Sequence, residues 1–241
     1  MDAAKSGETG RGSLETFFDR YDSLIVLDTE TCGLRCMRDE IIELSAAVLR
    51  LGEGGAEIVR EYDELIRLSE GRRLDPKITQ LTGICEADLA SRGISKQRAC
   101  EDFSALFSGK TLLAAYNAHF DLSFLYYFLH RDGCTDCLRD ADFLDLLSVY
   151  RDRREYPHRL SNAIEAYGLQ DTVVNSHRAI DDVRAAVEVM KAMEAERGDL
   201  ERYINLFGYN PRFGVEGKKI RSVRYLPQPY HGTVPLYELE C

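Results

Sequence analysis

Three features are missing from this sequence of 241 residues, and each absence excludes a class of protein. There is no run of about 18 apolar residues, so the sequence predicts no membrane-spanning helix and no membrane partner. Residues 1–12 are polar and rich in glycine and lack the basic and apolar segments of a secretory signal, so we expect a cytoplasmic protein. Finally, 31 Lys and Arg face 41 Asp and Glu, and the net charge of −10 argues against a protein that coats nucleic acid with a basic surface.

The negative charge is unevenly distributed along the chain. Residues 209–231 carry five basic side chains and one acidic one, a net charge of +4, within a total of −10. The acidic total therefore does not exclude an enzyme that meets the end of a nucleic acid locally, through metal ions. With 44% hydrophobic and 30% charged residues, the composition is that of a globular protein whose length suits one domain and an extension.

Hydrophobic patterning predicts an α/β domain in which helices flank a mixed sheet. Three successive strands with short connections suggest antiparallel neighbours, and a fourth strand follows a helix. The expected strands are residues 23–27, 41–51, 56–68 and 111–116. The expected helices are residues 14–20, 76–81, 86–90, 96–107, 121–129, 141–150, 160–167 and 178–197.

A change of composition near residue 199 divides the chain. We expect a flexible N-terminus over residues 1–12, a domain over residues 13–198 and a C-terminal extension over residues 199–241. The extension is too aromatic for a disordered linker and too rich in proline for a helix, so we expect it to dock on a surface. Three uses stay open: packing on its own domain, fixing a dimer, or guiding a single-stranded substrate with its basic and aromatic residues.

The first motif is a pair of carboxylates, Asp28 and Glu30, in the segment Leu27-Asp-Thr-Glu-Thr31. An apolar strand runs directly into this pair, and residues two apart in a strand point to the same face. Adjacent carboxylates repel each other unless a cation or a proton lies between them, and hard oxygen ligands suit Mg²⁺ or Mn²⁺. Taken alone, the pair is equally compatible with a strand that ends in a polar turn.

The second motif is Asn117-Ala-His-Phe-Asp121, which follows the fourth predicted strand. Asp121 opens an amphipathic helix, and Leu125, one turn further, faces the core. Asp121 therefore points inward at the edge of the sheet, where an unpaired carboxylate is costly and a metal ion would be a partner. A helix-capping aspartate is the more ordinary explanation of this residue by itself.

The third motif is His177-Arg-Ala-Ile-Asp-Asp182, at the start of the long last helix. Two helical residues five apart would face away from each other by about 140°. His177 and Asp182 can converge only if His177 lies on the loop before the helix. Histidine is the side chain best suited to take a proton near neutral pH.

In their order and spacing, the three motifs resemble those of the DEDDh group of DnaQ-like 3′–5′ exonucleases, which have an RNase H-like fold. The resemblance covers about residues 22–195 and extends to the proofreading exonuclease of bacterial DNA polymerase III. Two flanking segments are also similar, Ile41-Ile-Glu-Leu-Ser-Ala-Ala-Val48 and Ile78-Thr-Gln-Leu-Thr-Gly-Ile84. One departure is Cys32, which stands where many relatives have threonine.

This resemblance implies a set of site residues and a cofactor. The residues that match the metal ligands, for two Mg²⁺ or Mn²⁺ ions, are Asp28, Glu30, Asp121 and Asp182, and His177 matches the general base. Asp182, and not Asp181, fits the spacing of the third motif. The positions that approach the terminal nucleotide correspond to Thr31, Gly33, Leu34, Asn117 and His177.

The reaction that the resemblance implies is hydrolysis of phosphodiester bonds at the 3′ end of DNA, with release of nucleoside 5′-monophosphates, in proofreading or repair. An RNA-trimming exonuclease on the same scaffold is an alternative, since discrimination would depend on contacts to the 2′-position. A non-catalytic module that binds nucleic acid or a polymerase is a third, disfavoured because all five catalytic positions are filled. The extension is a candidate for association with a polymerase or with a second copy of the chain.

Overall fold

The computed structural model describes residues 14–131, 134–174, 176–230 and 234–239. The segment predicted to be flexible, residues 1–12, lies outside these ranges. The strands are β1 (Ser23–Thr31), β2 (Ile41–Gly52), β3 (Gly55–Leu65), β4 (Thr111–Ala115), β5 (Asp142–Asp145), β6 (Leu206–Tyr209) and β7 (Arg224–Pro227). The α-helices are α1 (Pro76–Thr82), α2 (Glu86–Ser91), α3 (Lys96–Ser104), α4 (Ala118–Arg131), α5 (Leu146–Arg153), α6 (Leu160–Ala166) and α7 (Ala179–Arg197). Short 3₁₀ helices cover Glu15–Asp19, Thr135–Leu138, Leu200–Tyr203 and Leu236–Glu238.

A five-stranded mixed sheet in the order β3-β2-β1-β4-β5 forms the centre of the fold. The pairs β1–β2 and β2–β3 are antiparallel, whereas β1–β4 and β4–β5 are parallel. The predicted antiparallel neighbours and the α/β class with a mixed sheet flanked by helices are therefore confirmed. None of the helices in the described ranges combines the length and the apolar character that crossing a membrane requires.

The two faces of β1 contact different helices. Leu24 and Val26 belong to a buried cluster with Val183 of α7, while Ile25 and Leu27 belong to another with residues of α4. This alternation follows from the two-residue period of a strand. Residues of even number in β1 therefore face α7, and residues of odd number face α4.

The largest differences from the sequence-based expectation concern β1 and β5. β1 does not end at residue 27 but continues to Thr31, because its last residues pair with β2, where Glu30 lies opposite Glu43. The helix expected over residues 141–150 is wrong at its start, since Asp142–Asp145 form strand β5 beside β4. Four residues are too few to show the alternation of polar and apolar residues that marks a strand. In addition, Asp145 caps the following helix by accepting from the amides of Leu147 and Ser148, so that the segment resembles the start of a helix.

The C-terminal extension packs on its own domain. β6 and β7 form a parallel two-stranded sheet, and the Asn205 amide donates to the Phe143 carbonyl of β5 at 2.7 Å. Tyr203, Phe207 and Leu236 are fully buried against the domain. The first of the three expected uses is therefore observed for the described part of the extension. Tyr209 and Asn210 of the extension border a cavity together with Asn117, which follows β4.

Candidate active site

Three carboxylates converge at the end of β1. One oxygen from each of Asp28, Glu30 and Asp182 lies within 4.8 Å of the others. Asp28 and Glu30 are even-numbered residues of β1 and so face α7, in whose first turn Asp182 lies. Asp181, in the same turn, has different partners, since it accepts from the Ser176 hydroxyl at 2.5 Å and lies 3.4 Å from Arg184 Nη1. We call the first three residues the carboxylate cluster.

A buried glutamate of β2 fixes the start of α7 next to this cluster. Glu43 is completely buried and accepts from Arg178 Nε at 2.8 Å and from the Ala179 amide at 2.9 Å. Arg178 Nη2 also forms an ion pair with the same carboxylate. Because Arg178 is the N-cap of α7 and Ala179 its first residue, Glu43 sets the position from which Asp182 reaches the strand.

Asp121 is held next to the cluster by Thr29, the residue between Asp28 and Glu30. Its Oδ1 accepts from the Thr29 amide at 3.0 Å and from the Thr29 hydroxyl at 2.7 Å. Thr29 is an odd-numbered residue of β1, so it faces α4, the helix that carries Asp121. The structure therefore brings three of the four predicted metal ligands into one cluster and holds the fourth against the strand residue between two of them.

Burial raises the pKa values of three carboxyl groups at this site. Burial, followed by the charges of Asp121, Asp182 and Glu30, raises the pKa of Asp28 well above its ordinary value. Burial raises the pKa of Glu30 to about 8, with the charge of Asp182 adding to the effect and that of Arg178 opposing it. The pKa of Asp121 is raised to about 7 by burial, although the bonds from Thr29 oppose the shift. Such a site stabilises protons or cations, and its oxygen ligands suit Mg²⁺ or Mn²⁺.

His177 lies on the loop directly before α7, the position that convergence with Asp182 requires. Its backbone is left-handed, with φ 58°, and its side chain is exposed. Arg178, the next residue, is the N-cap of the helix and is anchored by Glu43. The imidazole is therefore accessible to solvent next to the first turn of α7, in which Asp182 lies.

Two of the five residues predicted to meet the terminal nucleotide, Leu34 and Asn117, border a cavity of about 210 Å³ together with Phe120. Leu34 is 82% exposed, and Asn117 has a left-handed backbone with φ 70°. Thr31 and Gly33 shape the turn below, since the Thr31 hydroxyl donates to the Gly33 carbonyl at 2.6 Å. A Cβ on Gly33 would lie 2.3 Å from Asp39 Oδ2, so this approach requires glycine unless Asp39 moves.

Sequence reasoning missed several residues that position the site. Glu43 had a signal, because a charged residue stands inside the apolar segment Ile41-Ile-Glu-Leu44 and a buried charge needs a partner. Thr29 had none, since a threonine in a strand is ordinary. The contribution of Glu216 and Gly217 of the extension to the cavity at Leu34 also had no local signal, because it depends on a contact across about a hundred residues of sequence.

Comparison with known proteins agrees with this geometry. The family model described as "Exonuclease" (RNase T) matches residues 25–190. The DNA polymerase III subunit epsilon of Treponema pallidum is 34% identical over 181 residues, which cover 70% of this chain and 74% of that protein. The PolC-type DNA polymerase III of Thermotoga maritima is 33% identical over 171 residues, 69% of this chain but only 11% of that protein's length.

Solved structures share the fold. Exonuclease I from Methylocaldum szegediense superposes with a TM-score of 0.65 at 23% identity, over 75% of this chain and 42% of that one. Exonuclease I of E. coli, solved in complex with a dA16 oligonucleotide, gives a TM-score of 0.64 at 20% identity, over 76% and 42% of the two chains. The five-stranded sheet and its helices therefore form an RNase H-like fold.

Proposed function

Because the chain belongs to the exonuclease family, we propose that it is a metal-dependent 3′–5′ exonuclease that acts on DNA. The segment that the family model matches, residues 25–190, contains all three motifs. The single observation that carries this proposal is the carboxylate cluster of Asp28, Glu30 and Asp182, with His177 on the adjacent loop. The polymerase III names of two relatives and the DNA oligonucleotide bound to E. coli exonuclease I support DNA as the substrate.

The chemistry needs a way to neutralise the phosphodiester. Two divalent cations would neutralise the anionic phosphate, lower the pKa of a water molecule and stabilise the leaving 3′-oxygen. Asp28, Glu30 and Asp182 would hold them, with Asp121 as a fourth ligand. His177 would take the proton from the attacking water, since histidine titrates near neutral pH. The product would be a nucleoside 5′-monophosphate released from the 3′ end.

Acidic charge and a nucleic acid substrate are compatible in this scheme. An enzyme that binds only the last nucleotides needs few phosphate contacts, so a broad basic face is unnecessary. Leu34 and Asn117 border the cavity into which the terminal nucleotide would fit. A polymerase is the protein partner that the names of the relatives suggest for this chain.

The test compares oligonucleotides of equal sequence, one of DNA and one of RNA, labelled at the 3′ end and incubated with Mg²⁺. We expect release of the labelled deoxynucleoside monophosphate from the DNA in the first turnover, because the label is on the nucleotide that is removed first. Asp28→Asn is the matched control for contaminating nucleases, because it keeps the volume of the side chain but loses its charge. Faster release from RNA would support the RNA-trimming alternative, and release from neither would support the non-catalytic one.

A further inference from the structure

We propose that Asp145 is a positioning residue of this active site, whose buried carboxylate fixes the first turn of α4 and so sets the place of Asp121 beside the carboxylate cluster. This inference rests on the proposed exonuclease function. It adds a residue that the three motifs do not contain, because Asp145 lies at the end of β5.

Asp145 joins the starts of two helices. Its side chain is buried, and Oδ1 accepts from the amide of Ala118, the first residue of α4, at 2.9 Å. The same carboxylate caps α5, because Oδ1 accepts from the Leu147 amide at 3.3 Å and Oδ2 from the Ser148 amide at 3.2 Å. The first amides of a helix have no partner within that helix, so this carboxylate supplies acceptors to both helices. The position of α4 relative to α5 is therefore fixed at this point.

A negative charge suits this position. The N-terminus of an α-helix carries a partial positive charge, and the Asp145 carboxylate lies at the N-termini of both α4 and α5. The Ser148 hydroxyl adds a fourth donor, 2.5 Å from Oδ2. Four donors and two helix dipoles offset the free-energy cost of burying the carboxylate. Asp145 is therefore held in one place by protein groups and can serve as an anchor for the helix that begins at Ala118.

The anchored turn carries two predicted site residues. Asn117, directly before Ala118, borders the cavity into which the terminal nucleotide would fit and has a left-handed backbone, with φ 70°. Such a backbone is uncommon for residues other than glycine and persists where the surrounding structure holds it. The Asn117 carbonyl accepts from the Phe120 amide at 2.9 Å, and the bond from Ala118 to Asp145 holds the next peptide. Asp121 lies three residues after Ala118 in the same turn.

Asp121 is consequently fixed from two directions. Thr29 of β1 donates to its Oδ1, and Asp145 of β5 holds the start of the helix that carries it. These anchors belong to the two strands on either side of β4. The pKa of Asp121 is raised chiefly by burial and further by the charge of Asp145, so the two carboxyl groups are close enough to interact. A displacement of about 1 Å at a catalytic site lowers a rate by up to about 10²-fold, so the loss of one anchor should be measurable.

The Ser148 hydroxyl connects this anchor to the C-terminal extension. It donates to Asp145 and accepts from the amide of Gly208 in β6 at 2.8 Å. The Ser148 carbonyl also accepts from Gln228 Nε2 at 2.8 Å. The docked extension therefore sets the direction of the hydroxyl group from which Asp145 accepts a hydrogen bond.

The test separates the anchor of α4 from the cap of α5 with three variants. Serine is a favoured N-cap residue, so Asp145→Ser keeps an acceptor for the amides of α5, but its single, shorter oxygen cannot also reach the Ala118 amide. Asp145→Asn keeps the length of the side chain and an oxygen for Ala118. Asp152→Ala is the matched control, because Asp152 also lies on α5 and binds the extension through Gln228 and Tyr203 but is not the N-cap.

We expect Asp145→Ser to raise the Mg²⁺ concentration for half-maximal hydrolysis of 3′-labelled DNA by about tenfold and to lower kcat by about 10²-fold. Asp145→Asn should lie close to the wild type in both quantities. Asp152→Ala should lower the melting temperature without changing the Mg²⁺ requirement. In the metal-free proteins, hydrogen exchange of the amides of residues 118–122 should be faster in Asp145→Ser than in Asp152→Ala or the wild type, because the start of α4 opens more readily.

The positioning role of Asp145 would be overturned by a Mg²⁺ requirement of Asp145→Ser equal to that of the wild type, or by an equal change in Asp152→Ala. If Asp145→Ser does not fold, Ser148→Ala replaces it, because that variant removes the hydroxyl that holds the carboxylate. Failure of the proposed function looks different, since the wild type would then hydrolyse no DNA. Hydrogen exchange would decide in that case, and equal exchange over residues 118–122 in the wild type and the variant would remove the anchor.

Discussion

Thr29 donates two hydrogen bonds to Asp121, one from its amide at 3.0 Å and one from its hydroxyl at 2.7 Å, and both end on Oδ1. The residue between Asp28 and Glu30 therefore orients the predicted ligand of the second motif. Thr29 is not among the predicted metal ligands, but its two bonds set the direction in which the Asp121 carboxylate points. Partners of this kind commonly change metal affinity or activity by about 10–100-fold when they are removed.

We therefore expect Thr29→Val to raise the Mg²⁺ concentration needed for half-maximal hydrolysis by about tenfold. Valine keeps the shape of the side chain and the hydrogen bond that the backbone amide donates to Asp121. It loses the hydrogen bond that the threonine hydroxyl donates. Thr29→Ser, which keeps the hydroxyl, is the control. Equal Mg²⁺ requirements in the wild type and in Thr29→Val would show that the Asp121 carboxylate is oriented by other contacts.

Removal of a carboxylate of the cluster should abolish turnover and leave the fold intact. We expect this of Asp28→Ala, Glu30→Ala and Asp182→Ala, and of the wild type in EDTA, because the remaining oxygens cannot hold the cations. Asp181→Ala is the matched control in the same helical turn, since its partners are Ser176 and Arg184. Hydrolysis that continues in EDTA would exclude the metal-dependent mechanism.

His177→Ala should lower kcat by about 10²–10⁴-fold, because the attacking water then loses its base. Binding of Mn²⁺, measured by isothermal titration calorimetry, should persist, since the oxygen ligands are unchanged. His177 is exposed and lies on a loop, so the substitution should also leave the melting temperature near that of the wild type. A normal kcat would remove His177 from the catalytic residues.

The metal-free protein should lose stability as the pH rises from about 5 to about 8. The pKa of Glu30 is raised from 4.5 to about 8 and that of Asp121 from 3.8 to about 7, so the folded state retains protons that the unfolded chain has released. Stability falls with pH wherever the folded state binds more protons. The free energy of unfolding in EDTA, measured by urea titration, should therefore decline across this range.

Two comparisons test that explanation. Glu30→Gln should flatten the pH dependence and be more stable than the wild type at pH 8 in EDTA, because a neutral amide replaces a carboxylate that must ionise there. Mg²⁺ should restore the stability of the wild type at pH 8, since it binds the folded state. A free energy of unfolding that increases from pH 5 to pH 8 in EDTA would contradict the raised pKa values.

The basic residues of the extension give a fifth prediction. Lys218, Lys219 and Arg221 border a cavity of about 230 Å³ beside α4, and Lys218 Nζ lies 4.2 Å from the centroid of the Tyr126 ring. If these residues guide a nucleic acid strand to the site, replacing the three of them and Arg224 by Ala should raise KM. It should also flatten its salt dependence by up to about 0.7 in log–log slope per lost contact. An unchanged slope would leave packing as the role of these residues.

Local patterns in the sequence predicted the parts of the site that lie on one element. The two-residue period of a strand predicted that Asp28 and Glu30 share a face, and the helical angle between His177 and Asp182 predicted that His177 lies on a loop. Both features are present. The motif order alone could not show that Thr29, the residue between Asp28 and Glu30, holds Asp121 beside the cluster.

The remaining parts depend on contacts between distant segments, which leave no local pattern. β5 is recognisable as a strand only beside β4, because its four residues also fit the start of a helix. Likewise, Glu216 and Tyr225 of the extension contact His119, which lies roughly a hundred positions earlier. A pattern confined to a short window contains no information on such a meeting.

The bond between the Glu43 carboxylate and the Ala179 amide joins residues 136 positions apart. During synthesis, a ribosome must therefore complete all five strands of the central sheet and the helices α1 to α6 before Asp182 can be brought to Asp28. Contacts of such long separation form late, because a long loop must close first. We therefore expect the carboxylate cluster to be assembled only in a late stage of folding.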